Sequence, residues 1–103
     1  VLEKENVRNL CGRLDLREAA ALVSTADFVI SNSSLCMHLA GAFKIPSVIL
    51  LGEWYESAIL HHQQWGYPEA LVIGKECQKG RRQIATVEEV YDQVAKSLLL
   101  NTI

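Results

Sequence analysis

Two short apolar runs, separated by a polar corner and a stretch of small residues, dominate the middle of the chain. The first run, 28–30, stops at the polar residues 31–34, and a helical pattern of small residues then covers 35–43. The second run occupies 47–51. This order predicts a strand, a polar corner, a helix and a strand. Two consecutive buried strands joined by one helix almost require a right-handed parallel crossover.

The flanking segments continue the alternation of strands and helices. A short strand is predicted over 7–10, and Asp15 is expected to cap a helix because Glu18 completes a capping box with it. Later elements are a short helix within 57–65, a strand at 70–73, and a last helix beginning at Thr86, with an apolar stripe of Val87, Val90, Tyr91, Val94, Leu98 and Leu99. The sequence therefore predicts an α/β fold, a Rossmann-like parallel sheet flanked by helices.

The polar corner carries the candidate chemistry. It is expected at the carboxyl end of a strand and the amino end of a helix, where open α/β sheets bind ligands. Asn32, Ser33 and Ser34 are good capping residues, and the first helical amides can hold a phosphate. His38 shares a helix face with Ser34 and could donate a hydrogen bond to a diphosphate oxygen. The alternative is a simple helix cap, with His38 half-buried and satisfied by backbone.

Composition narrows the class of protein. The 103 residues suffice for one small domain, and a net charge of -2 gives no general attraction to nucleic acid. No apolar run approaches the roughly 18 residues of a membrane helix, and the charged start does not resemble a signal peptide. Three widely spaced cysteines, Cys11, Cys36 and Cys77, favour reduced thiols in a cytoplasmic protein.

Ordered motifs along the chain resemble the carboxy-terminal half of heptosyltransferase-like enzymes. These enzymes form glycosyltransferase family nine and build the bacterial lipopolysaccharide core. The motifs are NLCGRLDLRE at 9–18, ADFVISN at 26–32, MHLAGA at 37–42, Pro46, Gly52 and IATVEEV at 84–90. The resemblance covers nearly the whole chain.

The resemblance implies a two-domain GT-B enzyme. Its carboxy-terminal domain binds a nucleotide-diphosphate sugar, typically ADP-heptose, while its amino-terminal domain binds a lipid-linked saccharide acceptor and supplies the catalytic base. Residues 1–103 would then be a single partial donor-binding domain of a longer protein, inactive alone and using neither a metal nor another cofactor. The longer protein could lie at the periphery of the inner membrane. The implied donor-binding residues are Asn32, Ser33, Ser34, Leu35 and His38.

The corner departs from the family pattern at several positions. Ser33 stands where the family has Asp, Leu35 where it has Gly, and Cys36 at the next position; Glu53 follows Gly52 in place of Pro. These departures leave a second hypothesis open, a degenerate, non-catalytic α/β interaction module that has lost nucleotide binding. A response-regulator-like or other flavodoxin-like domain is a third hypothesis, but the sequence lacks the early acidic cluster that such a phosphoacceptor site needs.

The remaining candidates have structural interpretations. His61 and His62 are interpreted as surface polar residues, since adjacent residues do not share a helix face and no partner has metal-ligand spacing. The small residues at 40–42 are expected to let their helix pack closely on the sheet. The connection at 52–68 carries aromatic residues that cover the sheet edge, face the missing domain or stack on a base or sugar, namely Trp54, Tyr55, Trp65 and Tyr67. Glu53, Glu56 and the basic loop at 75–82 are read as solvated.

Overall fold

Helices and strands alternate along the chain. The structure is a computed structural model that describes residues 5–51, 57–73 and 86–102. In chain order its elements are α1 (Leu16–Ser24), β1 (Val29–Asn32), α2 (Leu35–Ala42), β2 (Ser47–Leu50), α3 (Ala58–Trp65), β3 (Ala70–Ile73) and α4 (Val87–Thr102). The basic loop at 75–82, Cys77 and residues 52–56 lie outside the described residues.

The three strands form a parallel sheet in the order β1–β2–β3. Asn32 pairs in register with Leu50, and Leu50 pairs with Ile73, so the carboxyl ends of all three strands meet at one edge. Because α2 connects β1 to β2, the predicted parallel crossover is confirmed, and so is the α/β class. β1 extends through Ser31 and Asn32, beyond the apolar run, and thereby brings the polar corner to this edge.

The strand predicted at 7–10 is wrong. Only Val7 forms an isolated β-bridge, and its side chain is 41% exposed. The segment buries too little apolar surface to hold a strand against the core. Gly12 follows with a φ of 71°, which is the left-handed conformation expected of glycine in a turn.

The ends of the helices follow local side-chain chemistry. Asp15 accepts a hydrogen bond from the amide of Glu18 at 2.8 Å, and the Glu18 carboxylate accepts one from the amide of Asp15 at 3.1 Å, which confirms the capping box. Thr86 caps α4 in a similar way by accepting from the amide of Glu89 at 3.2 Å.

α2 ends in a Schellman motif that turns the chain into β2. The amide of Lys44 donates to the carbonyl of Gly41 at 3.1 Å, and that of Ile45 donates to Ala40 at 2.9 Å. Lys44 occupies the left-handed position, with a φ of 57°, where glycine is usual. Ile45, which follows it, is buried and ties the turn to the core.

The main core lies between the sheet and the pair α2 and α3. Its buried cluster contains Met37 from α2, Ile49 and Leu51 from β2 and its end, and Ala58 from α3. Tyr67 and the β3 residues Ala70 and Val72 pack against this cluster. Of the small residues predicted to pack closely, Ala40 is fully buried and Gly41 partly buried, whereas Ala42 is exposed.

The opposite face of the sheet is covered less completely. α4 lies against β2 there and, with Ile30 and Leu50, lines a cleft of about 430 Å³. Val90 and Val94 of the predicted stripe are half-buried. The other four residues of the stripe remain exposed, namely Val87, Tyr91, Leu98 and Leu99.

Candidate functional site

The polar corner lies at the carboxyl edge of the sheet, between β1 and α2. Asn32 is the last residue of β1 and is exposed, and its carbonyl accepts a hydrogen bond from the Ser31 hydroxyl at 2.8 Å. Ser33 and Ser34 follow, and α2 begins at Leu35 with Ser34 as its N-cap. The structure therefore places four of the five predicted donor-binding residues in one continuous turn, where the positive end of the helix dipole also lies.

The first backbone amides of α2 remain available to a ligand because no side chain caps them. The Ser34 side chain makes no capping hydrogen bond, and its hydroxyl lies 3.2 Å from that of Ser31. The Ser34 carbonyl accepts from the amides of Met37 and His38, at 3.1 and 3.4 Å. Within the part of the chain that the structure describes, the amides of Leu35 and Cys36 have no acceptor. Such amides at a helix N-terminus suit an anionic oxygen.

A buried histidine from α3 reaches the corner. The Nε2 atom of His61 lies 2.9 Å from the Ser33 hydroxyl oxygen, and the His61 side chain is only 4% exposed. The interpretation of His61 as a surface residue is therefore wrong. The apolar neighbours Ile59 and Leu60 face solvent, whereas His61, three residues after the buried Ala58, faces inward.

The buried position of His61 affects its charge. Desolvation lowers the pKa of His61 below its ordinary value of 6.5, and the nearby imidazoles of His62 and His38 lower it further. His61 is therefore neutral at neutral pH, and the corner holds a hydroxyl–imidazole pair without a formal charge.

His38 is held by an aromatic residue that follows α3. Its Nδ1 atom lies 2.7 Å from the hydroxyl oxygen of Tyr67, and the two rings meet edge to face with centroids 5.8 Å apart. The Tyr67 ring also packs against the core and against Gly41, where an added Cβ atom would overlap it. Tyr67 is thus a structural contact of α2, which differs from the expected roles of covering the sheet edge, facing another domain or stacking on a ligand.

The model of glycosyltransferase family 9, described as heptosyltransferase, matches residues 2–83. The chain belongs to this family. Membership assigns glycosyl transfer as its general function, with a nucleotide-sugar donor and an acceptor as the kinds of substrate that the family implies. The matched residues include β1, the corner, α2, β2, α3 and β3. No match is found among curated proteins or among solved structures.

Two of the departures of this family 9 chain, Leu35 and Cys36, are exposed at the corner. The Leu35 side chain is 51% exposed at the first position of α2, and Cys36 is exposed as a free thiol, as is Cys11. Within the described ranges, 5–51, 57–73 and 86–102, no group of metal-binding side chains is found, and no helix is long and apolar enough to cross a membrane. Trp65 is 62% exposed, while Trp54, Tyr55, Glu53 and Glu56 lie outside those ranges.

Proposed function

We propose that residues 1–103 are the donor-binding portion of a heptosyltransferase-like GT-B glycosyltransferase. In this proposal the corner between β1 and α2 holds the diphosphate of a nucleotide-diphosphate sugar, such as ADP-heptose. The single observation that supports it most is the pair of available amides at Leu35 and Cys36, at the carboxyl edge of a parallel sheet. Asn32 and the hydroxyl groups of Ser33 and Ser34 border the same turn.

The chemistry follows from where negative charge develops. An acceptor hydroxyl attacks the anomeric carbon of the donor sugar, the bond from that carbon to the diphosphate oxygen breaks, and the nucleotide diphosphate leaves. The amides of the corner face that leaving group and stabilise the charge it gains, so the corner requires no metal ion. A base on a second domain takes the proton of the acceptor hydroxyl. The acceptor in this proposal is a lipid-linked saccharide of the lipopolysaccharide type.

His38 is the side chain that we assign to the donor diphosphate. Its Nδ1 atom is engaged by Tyr67, and Nε2 has no partner among the described residues. A neutral imidazole that accepts from the Tyr67 hydroxyl at Nδ1 carries its proton on Nε2, where it can donate to an anionic oxygen.

The test is a calorimetric titration of the full-length protein with ADP, UDP and GDP. We expect saturable binding of one nucleotide, weakened at least about tenfold by His38→Ala, which corresponds to about 1.4 kcal/mol. His62→Ala makes the same change on a neighbouring histidine that has no assigned role at the corner, and it should leave binding unchanged. Sugar transfer by residues 1–103 alone would contradict the assignment of the base to another domain.

The exposed Leu35 side chain favours a second candidate function. An apolar side chain at the position of the family glycine, 51% exposed beside the amides, would crowd a diphosphate. The chain would then be a non-catalytic α/β module that has kept the fold of the family. Failure of all three nucleotides to bind, in a protein that folds normally, would favour this candidate.

A further inference from the structure

The hydrogen bond between Ser33 and His61 limits what Ser33 can do for a ligand. The Ser33 hydroxyl has one proton, and its oxygen lies 2.9 Å from Nε2 of His61. If Nε2 is unprotonated, Ser33 must donate its proton to the ring and can offer only lone pairs to the corner. If Nε2 carries a proton, the ring donates to the Ser33 oxygen, and the hydroxyl proton is free to point elsewhere.

A phosphate oxygen accepts hydrogen bonds, so only the second arrangement lets Ser33 bind it. We propose that His61 is the positioning residue of the donor corner: an Nε2–H group on His61 donates to the Ser33 oxygen and directs the Ser33 hydroxyl proton to a donor phosphate oxygen. This inference rests on the proposed function of the corner. It adds a residue from α3, which lies 28 positions from Ser33 along the chain.

The surroundings of His61 fit such a role. The side chain is 4% exposed, so water competes little for Nε2, and the bond to Ser33 joins the middle of α3 to the turn before α2. His38 on α2 and His62 on α3 are the titratable groups that act on it, and both oppose a positive charge. An anion at the corner would act in the opposite direction and would favour the Nε2-protonated ring, including the imidazolium.

Donor binding should therefore be linked to protonation of His61. Two variants separate the effect of the N–H donor of His61 from the effect of its packing. His61→Gln places an amide N–H donor near the position of Nε2 but cannot titrate, and His61→Phe fills the buried space without a donor. His62→Gln is the matched control, since it makes the same exchange one residue further along α3. Far-UV circular dichroism and urea unfolding would check that every variant is folded at each pH.

The experiment is an ADP titration of the full-length protein between pH 5.5 and 7.5. ADP gains a proton on its own phosphate in this range, so the contribution of His61 is the difference between wild type and His61→Gln at each pH. We expect wild-type affinity, relative to His61→Gln, to rise at least about threefold as the pH falls. His61→Phe should bind about tenfold more weakly than His61→Gln throughout. His62→Gln keeps the His61 side chain and should keep a rise in affinity as the pH falls, but that rise should begin at a higher pH because one imidazole that lowers the pKa of His61 is removed.

The outcomes distinguish this inference from the function on which it rests. ADP binding that is equally strong in His61→Phe and in wild type, with the same pH dependence, would overturn the role of His61 and leave the donor corner intact. Absence of binding by wild type to ADP, UDP and GDP at every pH would overturn the donor corner, and the role of His61 with it. A nucleotide-free measurement adds a direct check. In ¹⁵N NMR spectra, Ser33→Ala should change the Nε2 signal of His61, and an unchanged signal would refute the hydrogen bond itself.

Discussion

Replacement of Gly41 by alanine sets two effects of known size against each other. In most helices this change is favourable by about 0.5–1 kcal/mol, because glycine loses more backbone entropy on folding than alanine. At Gly41, however, the new Cβ atom would overlap Cγ and both Cδ atoms of the Tyr67 ring. These atoms are at the inner end of the side chain, and the ring is packed against the core. A small rotation therefore cannot remove the overlap.

The overlap should outweigh the gain in helix propensity. Overpacking of a core contact costs about 1–3 kcal/mol. After the gain of about 0.5–1 kcal/mol is subtracted, Gly41→Ala should lower the free energy of unfolding by roughly 1 kcal/mol, and by no more than about 2.5 kcal/mol. Urea unfolding followed by circular dichroism would measure this as a lower midpoint at an unchanged slope. Ala42→Gly is the control for propensity, because Ala42 is the exposed neighbour in the same helix.

A double-mutant cycle with Tyr67→Ala tests the cause. Without the ring, Gly41→Ala should become stabilising by about 0.5–1 kcal/mol, so the sign of its effect should reverse. If Gly41→Ala stabilised the protein with Tyr67 in place, the close contact between α2 and the ring would be refuted. If it destabilised equally in both backgrounds, the cause would be a contact other than the one with Tyr67.

Three further predictions concern single side chains. Burial lowers the pKa of His61, so the unfolded chain binds more protons than the folded one below pH 6.5. The contribution of neutral His61 to the free energy of unfolding is fully present above that pH. As the pH is lowered further, the free energy of unfolding should fall by at most about 1.4 kcal/mol per pH unit, until the lowered pKa of the folded state is reached. Unfolding at several pH values should show this loss in wild type and not in His61→Gln. Tyr67→Phe removes only the hydrogen bond to His38 and should cost about 0.5–1.5 kcal/mol in chemical unfolding, and a neutral result would show that the bond contributes nothing net. Lys44→Gly should raise the unfolding midpoint, by about 1 kcal/mol in free energy, because it relieves a left-handed conformation, whereas Lys44→Ala should not.

The helices and strands were predictable where capping residues and strand-forming residues belong to segments that pack against the core. The strand at 70–73 matches its prediction, and Asp15 caps its helix as predicted. The helices predicted over 57–65 and from Thr86 each begin one residue later, at Ala58 and Val87. Capping chemistry acts over three or four residues, so the sequence alone contains it. The segment at 7–10 had a strand-like composition but no core to pack against, and composition alone does not reveal that difference.

The candidate site was predictable only along one segment. The turn at 32–35 is continuous in sequence, and its position follows from the crossover that contains it. His61 and Tyr67 reach the corner and α2 from 28 and 29 residues away, and no periodic pattern marks either contact. Burial within α3 does not follow hydrophobicity, since Ile59 is 62% exposed while His61 is buried. Such contacts depend on how two helices are placed on the sheet.

The pairing of Ser33 with His61 bears on the departure of the corner from its family pattern. A carboxylate in place of the Ser33 hydroxyl would lie beside a buried imidazole and would stabilise its charged form, creating an ion pair that is costly to desolvate. It would also place a negative charge beside the amides that we propose hold a diphosphate. A serine adds no negative charge of its own to the pair, so it does not oppose an anion attracted by the amides of α2 and the helix dipole. The sequence of the corner alone suggests that the change from Asp to Ser removes nucleotide binding. Once His61 is taken into account, the change is compatible with binding of an anion.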